Sequence, residues 1–177
     1  MIETRRLRLI PATPEMLHAE LAGDMKQFAS LLVVAPPRDW PPELYDADAM
    51  RFALNQMERD GPHSVWGFHY FVLKRALGQA ILIGAGGYKG APRDGAVELG
   101  YSVLASHRRK GFASEAVRAM VKRAFADPAV SRVIAHTLTE LIASQGVLTK
   151  CGFELQHDTL EQGAIMYALK HPFARRR

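Results

Sequence analysis

Apolar and polar residues follow strand and helix periodicities along most of the chain, and these periodicities predict its elements. Residues 6–9 alternate between polar and apolar side chains, which is typical of a half-buried strand. The proline-rich segment 35–42 is predicted to be a loop, because proline lacks the backbone N–H that helices and sheets use. Helices are predicted on both sides of this loop, over residues 14–21, 24–32 and 47–59.

The middle of the chain is predicted to form three strands joined by turns, over residues 67–74, 80–88 and 95–104. Short connections between successive strands indicate an antiparallel meander. A helix over residues 111–126 follows, with an apolar face that should pack on the sheet. The remaining elements are a strand at 130–138, a helix at 140–150 and a pair of strands at 152–155 and 164–170. This order predicts an α+β fold without internal repeats.

Length and composition add limits to this prediction. With 177 residues, 48% of them hydrophobic, the chain is expected to form one domain over residues 1–172, followed by a short basic tail at 173–177. The net charge of +5 is mild, because 18 acidic residues accompany 23 basic ones, and it identifies no partner. A nucleic-acid-binding or ribosome-associated role would rest on this charge and the arginine tail alone.

Targeting signals and cysteine usage favour a cytoplasmic protein. The N-terminus lacks the apolar core of a secretion signal, and no run of about 18 apolar residues occurs, so no membrane association is expected. Cys151 is the only cysteine, which excludes an internal disulfide and is compatible with a packed thiol. His63, His69 and His157 show no metal-ligand spacing with Cys151, so no metal site is predicted.

Two glycine-containing segments have to be distinguished. Residues 84–90 superficially resemble a dinucleotide-binding glycine loop, but such a loop must open a helix, and here a turn and another strand follow. We therefore expect these glycines to relieve crowding in a curved strand. The second segment, residues 107–116, joins a predicted strand to a predicted helix. The first N–H groups of a helix have no internal partners and attract phosphate oxygens, so this junction is suited to a diphosphate.

The basic residues of the second segment strengthen the diphosphate prediction. Gly111 lets the backbone approach a ligand, and Arg108, Arg109 and Lys110 add positive charge. Taken alone, a basic turn before a helix is more often a solvated loop. However, the run from Arg108 to Ala113 resembles the acetyl-CoA diphosphate signature of the GCN5-related N-acetyltransferases (GNAT), usually written Gln/Arg-x-x-Gly-x-Gly/Ala.

The resemblance extends beyond the signature. Residues 97–103 precede it, and Ser144, residues 147–148 and residues 150–153 follow it, at the separations usual in the family. Residues 3–9 are similar to the start of the branch that includes the ribosomal-protein N-terminal acetyltransferases of the RimJ/RimL type. Membership implies a GNAT-type single domain, with a mixed, mostly antiparallel central sheet of about seven strands, flanking helices and a splayed-strand cleft for acetyl-CoA.

The resemblance also implies which residues bind the co-substrate acetyl-CoA. In this family the strands corresponding to residues 95–104 and 130–138 diverge, and the pantetheine arm lies between them. Backbone groups pair with the pantetheine amides as a missing strand would, and the strand-to-helix junction holds the diphosphate. The residues expected to bind acetyl-CoA are Tyr101, Ser102, Val103, Arg108, Arg109, Lys110, Gly111, Phe112, Ala113, Ser114 and Ser144.

Three catalytic groups follow from the same resemblance. Glu98 would be the general base, acting through water, and the alternative is a structural ion-pairing carboxylate. The backbone N–H of Val103 would stabilise the oxyanion. The family's usual tyrosine acid is replaced by Leu148, and Ser144 is the substitute unless it only hydrogen bonds to the cofactor or its helix. Leu141 stands where the family expects asparagine, which removes a polar contact to the cofactor.

Aromatic and histidine side chains are candidates for the acceptor side of the cleft. Trp40, in the proline-rich loop, and Trp66 are candidate substrate-binding residues. The alternatives are that Trp40 holds its loop in place and that Trp66 and Tyr101 are core aromatics. His136 lies on a predicted cleft strand and could assist proton transfer, although a lone histidine on a strand is usually structural.

Together these features predict an acetyl-CoA-dependent N-acetyltransferase that transfers acetyl directly to a primary amine, either a protein N-terminus or a small molecule. The alternative is a catalytically weak acyl-CoA-binding sensor, since the usual tyrosine and asparagine are missing. Acceptor specificity is expected to reside in the loops between residues 24 and 66. Homodimers are common among relatives, but the sequence shows no self-evident interface.

Overall fold

A computed structural model describes residues 1–35, 38–61, 64–156 and 163–172. The strands are β1 (Ile2–Glu3), β2 (Leu7–Pro11), β3 (Phe68–Leu73), β4 (Ile81–Tyr88), β5 (Ala96–Val103), β6 (Arg132–Leu138), β7 (Glu154–Gln156) and β8 (Ala164–Lys170). The helices are α1 (Pro14–Leu21), α2 (Met25–Leu32), α3 (Ala47–Asp60), α4 (Phe112–Ala124) and α5 (Ile142–Lys150), and a 3₁₀ turn, Ala105–His107, precedes α4. The predicted tail at 173–177 lies outside the described residues, as do His63 and His157.

The first three helices begin where the sequence supplies a capping oxygen. The Thr13 hydroxyl accepts a hydrogen bond from the Met16 N–H at the start of α1. Asp24 and Asp46 cap α2 and α3 in the same way. These side chains satisfy N–H groups that have no partner inside the helix, so they fix the start of each one.

The eight strands form one sheet in the order β1-β2-β3-β4-β5-β6-β8-β7. Each neighbouring pair is antiparallel except β5 and β6, which are parallel. The α+β fold and the antiparallel meander predicted for β3 to β5 are therefore confirmed. The expected count of about seven strands is exceeded by one, because Ile2 and Glu3 pair with β2. Two residues are too few to show an alternating pattern in the sequence.

Two hydrophobic clusters cover the two faces of the sheet. Helices α4 and α5 pack on one face through residues such as Val117, Met120 and Leu148. Helices α1, α2 and α3 pack on the other face, around residues such as Phe28 and Tyr70. No helix among the described residues is long and apolar enough to cross a membrane.

The glycines of β4 confirm the expectation of crowding in this strand. A Cβ on Gly84 would collide with the carbonyl oxygen of Ser102, and one on Gly86 would collide with that of Gly100. The pairing of β3 with β4 also shifts register between Phe71 and Val72. A strand without side chains at these positions can lie close to β5, which places β5 for the site described next.

Candidate active site

A gap opens between the two parallel strands in the centre of the sheet. Ala96, Val97 and Glu98 of β5 pair with Arg132, Val133 and Ile134 of β6, and no later residue of β5 is paired with β6. From residue 135 to residue 138, β6 pairs only with β8. The strands therefore diverge beyond Glu98 and leave a cleft between residues 99–103 and 135–138.

The backbone of β5 turns its unused hydrogen-bonding groups toward this cleft. Lys89 donates its N–H to the Glu98 carbonyl, and Leu104 donates its N–H to the Ile83 carbonyl, each at 2.9 Å. In an antiparallel pair, every second residue bonds to the neighbouring strand, so the even-numbered residues of β5 face β4. The N–H and C=O groups of Tyr101 and Val103 consequently face the cleft, where β6 offers them no partner.

The side chains of β5 divide the cleft into two faces. Val97 and Leu99 belong to the cluster beneath α4 and α5. Glu98, Gly100 and Ser102 lie on the opposite face, because side chains alternate along a strand. There the Ser102 hydroxyl donates a hydrogen bond of 2.6 Å to the Glu43 carbonyl. The loop over residues 38–46 therefore lies across this second face, which we call the loop face.

The start of α4 carries free N–H groups at the end of the cleft. Gly111 is the N-cap residue, with φ at 79°, and has no side chain to cap the helix. The first helical bond runs from the Glu115 N–H to the Gly111 carbonyl. The N–H groups of Phe112, Ala113 and Ser114 thus have no partner among the described residues. Since the side chains of Phe112 and Ser114 are buried, these two residues can contribute only their backbone to a ligand.

The three basic residues before α4 differ in what they contact. Arg108 pairs with the Glu43 carboxylate at 2.8 Å and donates from Nε to the Val103 carbonyl at 3.1 Å. Lys110 donates to the Ser106 carbonyl at 2.8 Å. Arg109 is exposed, has no partner among the described residues, and holds a left-handed backbone conformation with φ at 60°. Of these three basic residues, Arg109 is therefore the one whose side chain has no hydrogen bond or ion pair among the described residues.

The N-terminal segment holds the start of α4 in position. Arg6 pairs with Glu115 at 2.7 Å, donates to the Lys110 carbonyl at 3.0 Å, and lies 4.3 Å over the ring of Phe112. Burial raises the pKa of Glu115, but hydrogen bonds from Thr4 and Arg6 outweigh it and hold the pKa below its ordinary value. Sequence reasoning missed this contact, because Arg6 and Glu115 lie far apart along the chain.

Glu98 forms a charged cluster on the loop face. Its Oε1 accepts from Lys89 Nζ at 2.5 Å and lies 2.9 Å from His136 Nδ1. Burial raises the pKa of Glu98, but the hydrogen bonds from Lys89 and His136 outweigh it and lower the pKa below its ordinary value. The structure thus brings Glu98 and His136 together, and the ion-pairing alternative describes the contacts of Glu98. Lys89 carried no signal in the sequence.

Tyr101 and Ser144 meet on the other face of the cleft. The Tyr101 hydroxyl donates to the Ser144 carbonyl at 3.1 Å and lies 3.1 Å from the Ser144 hydroxyl oxygen. Burial raises the pKa of Tyr101 to about 12, so its hydroxyl is protonated at neutral pH. Leu148 is fully buried in the core, and Leu141 stands at the start of α5 without a capping side chain. The hydroxyls in this part of the cleft therefore belong to Tyr101 of β5 and Ser144 of α5.

The two candidate tryptophans have structural contacts. Trp40 donates from Nε1 to the buried carboxylate of Glu20 at 2.5 Å, and Tyr45 and Tyr70 donate to the same carboxylate at 2.9 and 2.6 Å. Trp40 thereby fixes the loop over residues 38–46, as the loop-holding alternative expects. Trp66 is buried beneath α4 with its ring centroid 5.1 Å from that of Tyr88, as the core alternative expects. Among the described residues, no group of three or more His, Cys, Asp or Glu could hold a metal ion.

The sequence matches the acetyltransferase (GNAT) domain family over residues 6–154. The chain belongs to this family. It is 29% identical over 171 residues to the uncharacterized N-acetyltransferase YjdG of Bacillus subtilis, covering 96% of this chain and 99% of YjdG. A GNAT-family acetyltransferase structure from Bordetella pertussis has a TM-score of 0.65 at 19% identity, with 94% of this chain and 97% of that chain covered. RimL, a ribosomal L7/L12 α-N-protein acetyltransferase solved with coenzyme A, has a TM-score of 0.58 at 16% identity, with coverage of 94% and 95%.

The chain is thus a GNAT acetyltransferase, and the family's acetyl donor is acetyl-CoA. One buried group in the cleft fits such a ligand. Thr137 lies on the stretch of β6 that pairs with β8 but no longer with β5, is only 7% exposed, and its hydroxyl has no hydrogen-bond partner among the described residues. A buried hydroxyl without a partner costs free energy, which a polar group in the cleft would recover. Together with the free N–H groups of β5 and α4, Thr137 gives a GNAT cofactor polar partners along the cleft.

Proposed function

We propose that this GNAT acetyltransferase transfers acetyl from acetyl-CoA directly to a primary amine, and that it belongs to the RimJ/RimL-like branch. The observation that carries the proposal is two sets of unused N–H groups, one on the β5 edge and one at the start of α4. The N–H of Tyr101 matches an extended amide-containing arm, that of Val103 matches the acyl oxygen, and those of Phe112, Ala113 and Ser114 match a diphosphate.

The cofactor roles divide between backbone and side chains. Backbone groups of Tyr101 pair with the pantetheine arm, Val103 offers its N–H at the acyl end of the arm, and Ser102 holds the loop over residues 38–46. At the diphosphate, Gly111 allows close approach, and Arg109 and Lys110 supply charge. Arg108 acts indirectly, because its guanidinium group holds Glu43 and the Val103 carbonyl.

Two hydroxyl groups and one amide serve the acyl transfer. The Val103 N–H faces the cleft and stabilises the oxyanion of the tetrahedral intermediate. Tyr101 and Ser144, joined by their hydroxyls, supply the proton for the leaving thiolate. This pair does the work that the family's usual tyrosine would do at Leu148. No observation favours the sensor alternative.

The acceptor amine approaches from the loop face. The opposite face is filled by α4 and α5, whereas the loop face carries Glu98, His136 and the loop over residues 38–46. RimL is named as an α-N-protein acetyltransferase, and its similarity in fold makes a protein N-terminus one of the two acceptor classes. A small-molecule amine is the other.

The test is to measure acetyl-CoA consumption and thiol release with N-terminal peptides, amino acids, polyamines and aminoglycosides. Glu98→Gln is assayed in parallel, and acetyl-CoA binding to both proteins is measured by calorimetry. Turnover of acetyl-CoA by the wild-type protein with any of these amines supports the proposal. Failure of the wild-type protein to bind acetyl-CoA would refute it.

A further inference from the structure

The loop face contains an imidazole whose position is defined by a carboxylate. His136 Nδ1 lies 2.9 Å from Glu98 Oε1, and the same oxygen accepts from Lys89 Nζ at 2.5 Å. A carboxylate next to Nδ1 favours the tautomer in which Nδ1 carries the proton and Nε2 has a free lone pair. Nε2 has no hydrogen-bond partner among the described residues. This arrangement is that of a carboxylate–imidazole pair in which the imidazole is the terminal base.

The position of His136 along β6 places it at the cleft. The last paired residues of the parallel strands are Glu98 and Ile134, and His136 is the next residue of β6 on the same face as Ile134. Its side chain is about one-third exposed, at 34%. His136 therefore stands at the point where the strands diverge, partly open to solvent and to an incoming amine.

Space for an acceptor exists beside this pair. Gly100 follows Glu98 on the loop face of β5, and a Cβ built there would meet only Lys89 Cε, at 4.0 Å. Ser102 comes next on this face and is covered by the loop residue Glu43. The missing side chain at Gly100 thus leaves an opening between the charged cluster and the loop.

Glu98 is poorly suited to take the proton itself. Its Oε1 already accepts hydrogen bonds from a lysine and a histidine, and its pKa is below the ordinary value for the reasons given above. A carboxylate ordinarily titrates about two pH units below an imidazole, so at neutral pH the imidazole is the stronger base. Lys89 is the ion-pair partner of Glu98.

We propose that His136 Nε2 is the atom that takes the proton from the acceptor amine, and that Glu98 and Lys89 are positioning residues for it. This inference rests on the proposed acetyl transfer. One proton passes from the acceptor ammonium to Nε2, giving an imidazolium and a neutral amine. The amine lone pair forms the C–N bond to the acetyl carbon, and the C–S bond breaks with its electron pair on sulfur. The nitrogen loses its second proton to water, and the thiolate takes a proton from the Tyr101–Ser144 pair, which regains one from water. The imidazolium returns its proton to water, so one proton is released overall.

The charged groups around His136 define the expected pH dependence. Glu98 faces His136 from β5, and Lys89 faces it from the end of β4. On the other side, His136 pairs with Met166 of β8, which pairs with Gln156 of β7, and both of these side chains are uncharged. Activity should require neutral His136, so kcat/KM should rise with pH in the wild-type protein, and His136→Gln should remove this rise.

The test compares pH profiles of kcat/KM for the wild-type protein, His136→Gln and Glu98→Gln, with the exposed His18→Gln as the matched control. His136→Gln should lower kcat/KM on the order of 100-fold and abolish the rise with pH, with acetyl-CoA affinity unchanged by calorimetry. Glu98→Gln should keep the rise with pH, because Nε2 of His136 is still present. A His136→Gln profile within threefold of wild type, with the rise intact, would overturn the proposal and return the role of base to Glu98.

A second measurement does not depend on turnover. Nitrogen NMR of neutral His136 should show the Nδ1–H tautomer in the wild-type protein and a mixture of tautomers in Glu98→Gln. An Nε2–H tautomer in the wild-type protein would contradict the proposal even if no acceptor had been found. A protein that shows the Nδ1–H tautomer but does not bind acetyl-CoA would instead refute the proposed function.

Discussion

The Tyr101 hydroxyl of β5 lies 3.1 Å from the Ser144 hydroxyl of α5, and the two side chains join the walls of the cleft. If the two hydroxyls deliver one proton together, removal of either hydroxyl should slow protonation of the leaving thiolate. Tyr101→Phe and Ser144→Ala should each lower kcat on the order of 100-fold, and the double variant should be no slower than the slower single variant. Single-turnover thiol release measures this. Multiplicative losses in the double variant would mean that the two hydroxyls act separately.

Gly111 should matter both for its backbone conformation and for the ligand. Gly111→Ala places a Cβ on a residue at φ 79° and should cost roughly 1 kcal/mol in the free energy of unfolding. It should also weaken acetyl-CoA binding, because the Cβ would meet Arg6 Nη2 at 3.4 Å and disturb the start of α4, where the diphosphate is proposed to bind. Gly78→Ala is the control, since Gly78 has φ at 80° and open space around it. The control should lose similar stability in urea denaturation but keep its acetyl-CoA affinity. Equal affinities in both variants would count against the diphosphate site.

Thr137→Val separates stability from binding. The substitution removes a buried hydroxyl that has no partner among the described residues, so the free protein should gain roughly 1 kcal/mol in its free energy of unfolding. The same change should weaken acetyl-CoA binding if the cofactor supplies the missing hydrogen bond. Urea denaturation of Thr137→Val should show the gain in stability, and calorimetry should show the loss of acetyl-CoA affinity. Thr139→Val, at a more exposed position, is the control. Unchanged affinity would show that Thr137 does not contact the cofactor.

Glu20 should make stability depend on pH. Burial raises the pKa of Glu20 above its ordinary value of 4.5, although hydrogen bonds from Tyr70, Trp40 and Tyr45 oppose the increase. A raised pKa means that the folded protein holds this proton more tightly than the unfolded chain does. Its contribution to the free energy of unfolding is therefore fully present below pH 4.5 and is lost as pH rises through the raised pKa.

Urea denaturation between about pH 4 and pH 8 measures this dependence. Glu20→Gln should remove the decline that Glu20 causes, whereas Glu58→Gln, at an exposed carboxylate, should leave it unchanged. Parallel pH profiles for the wild-type protein and Glu20→Gln would contradict the assignment.

The sequence was sufficient for most of the fold because periodicity is local. Helix α1 and strand β8 occur over the predicted ranges, and the glycines of β4 lie in a strand as expected. Strand β7 was placed too early, at 152–155, because Gly152 is in a left-handed conformation that a strand does not use. The first and last residues of a strand depend on individual backbone angles, which the pattern of hydrophobic residues does not encode.

The site was predicted less completely, because its decisive contacts join distant parts of the chain. The resemblance points to Glu98 and Ser144, but the contact of Glu98 with His136 joins β5 to β6, and that of Ser144 with Tyr101 joins α5 to β5. The contact of Arg6 with Glu115 spans 109 residues. Spacing along one strand or helix cannot reveal such pairs, since they depend on the strand order of the sheet.

The gap between β5 and β6 ties the lifetime of this protein to the supply of its co-substrate. Only three residue pairs join β5 to β6, so a ligand in the gap adds hydrogen bonds where the two strands have separated. A ligand present at 100 times its dissociation constant adds about 2.7 kcal/mol to the free energy of unfolding. A chain that has bound acetyl-CoA would therefore unfold less often than the free chain, and a protease that cuts the unfolded chain would cut it more slowly.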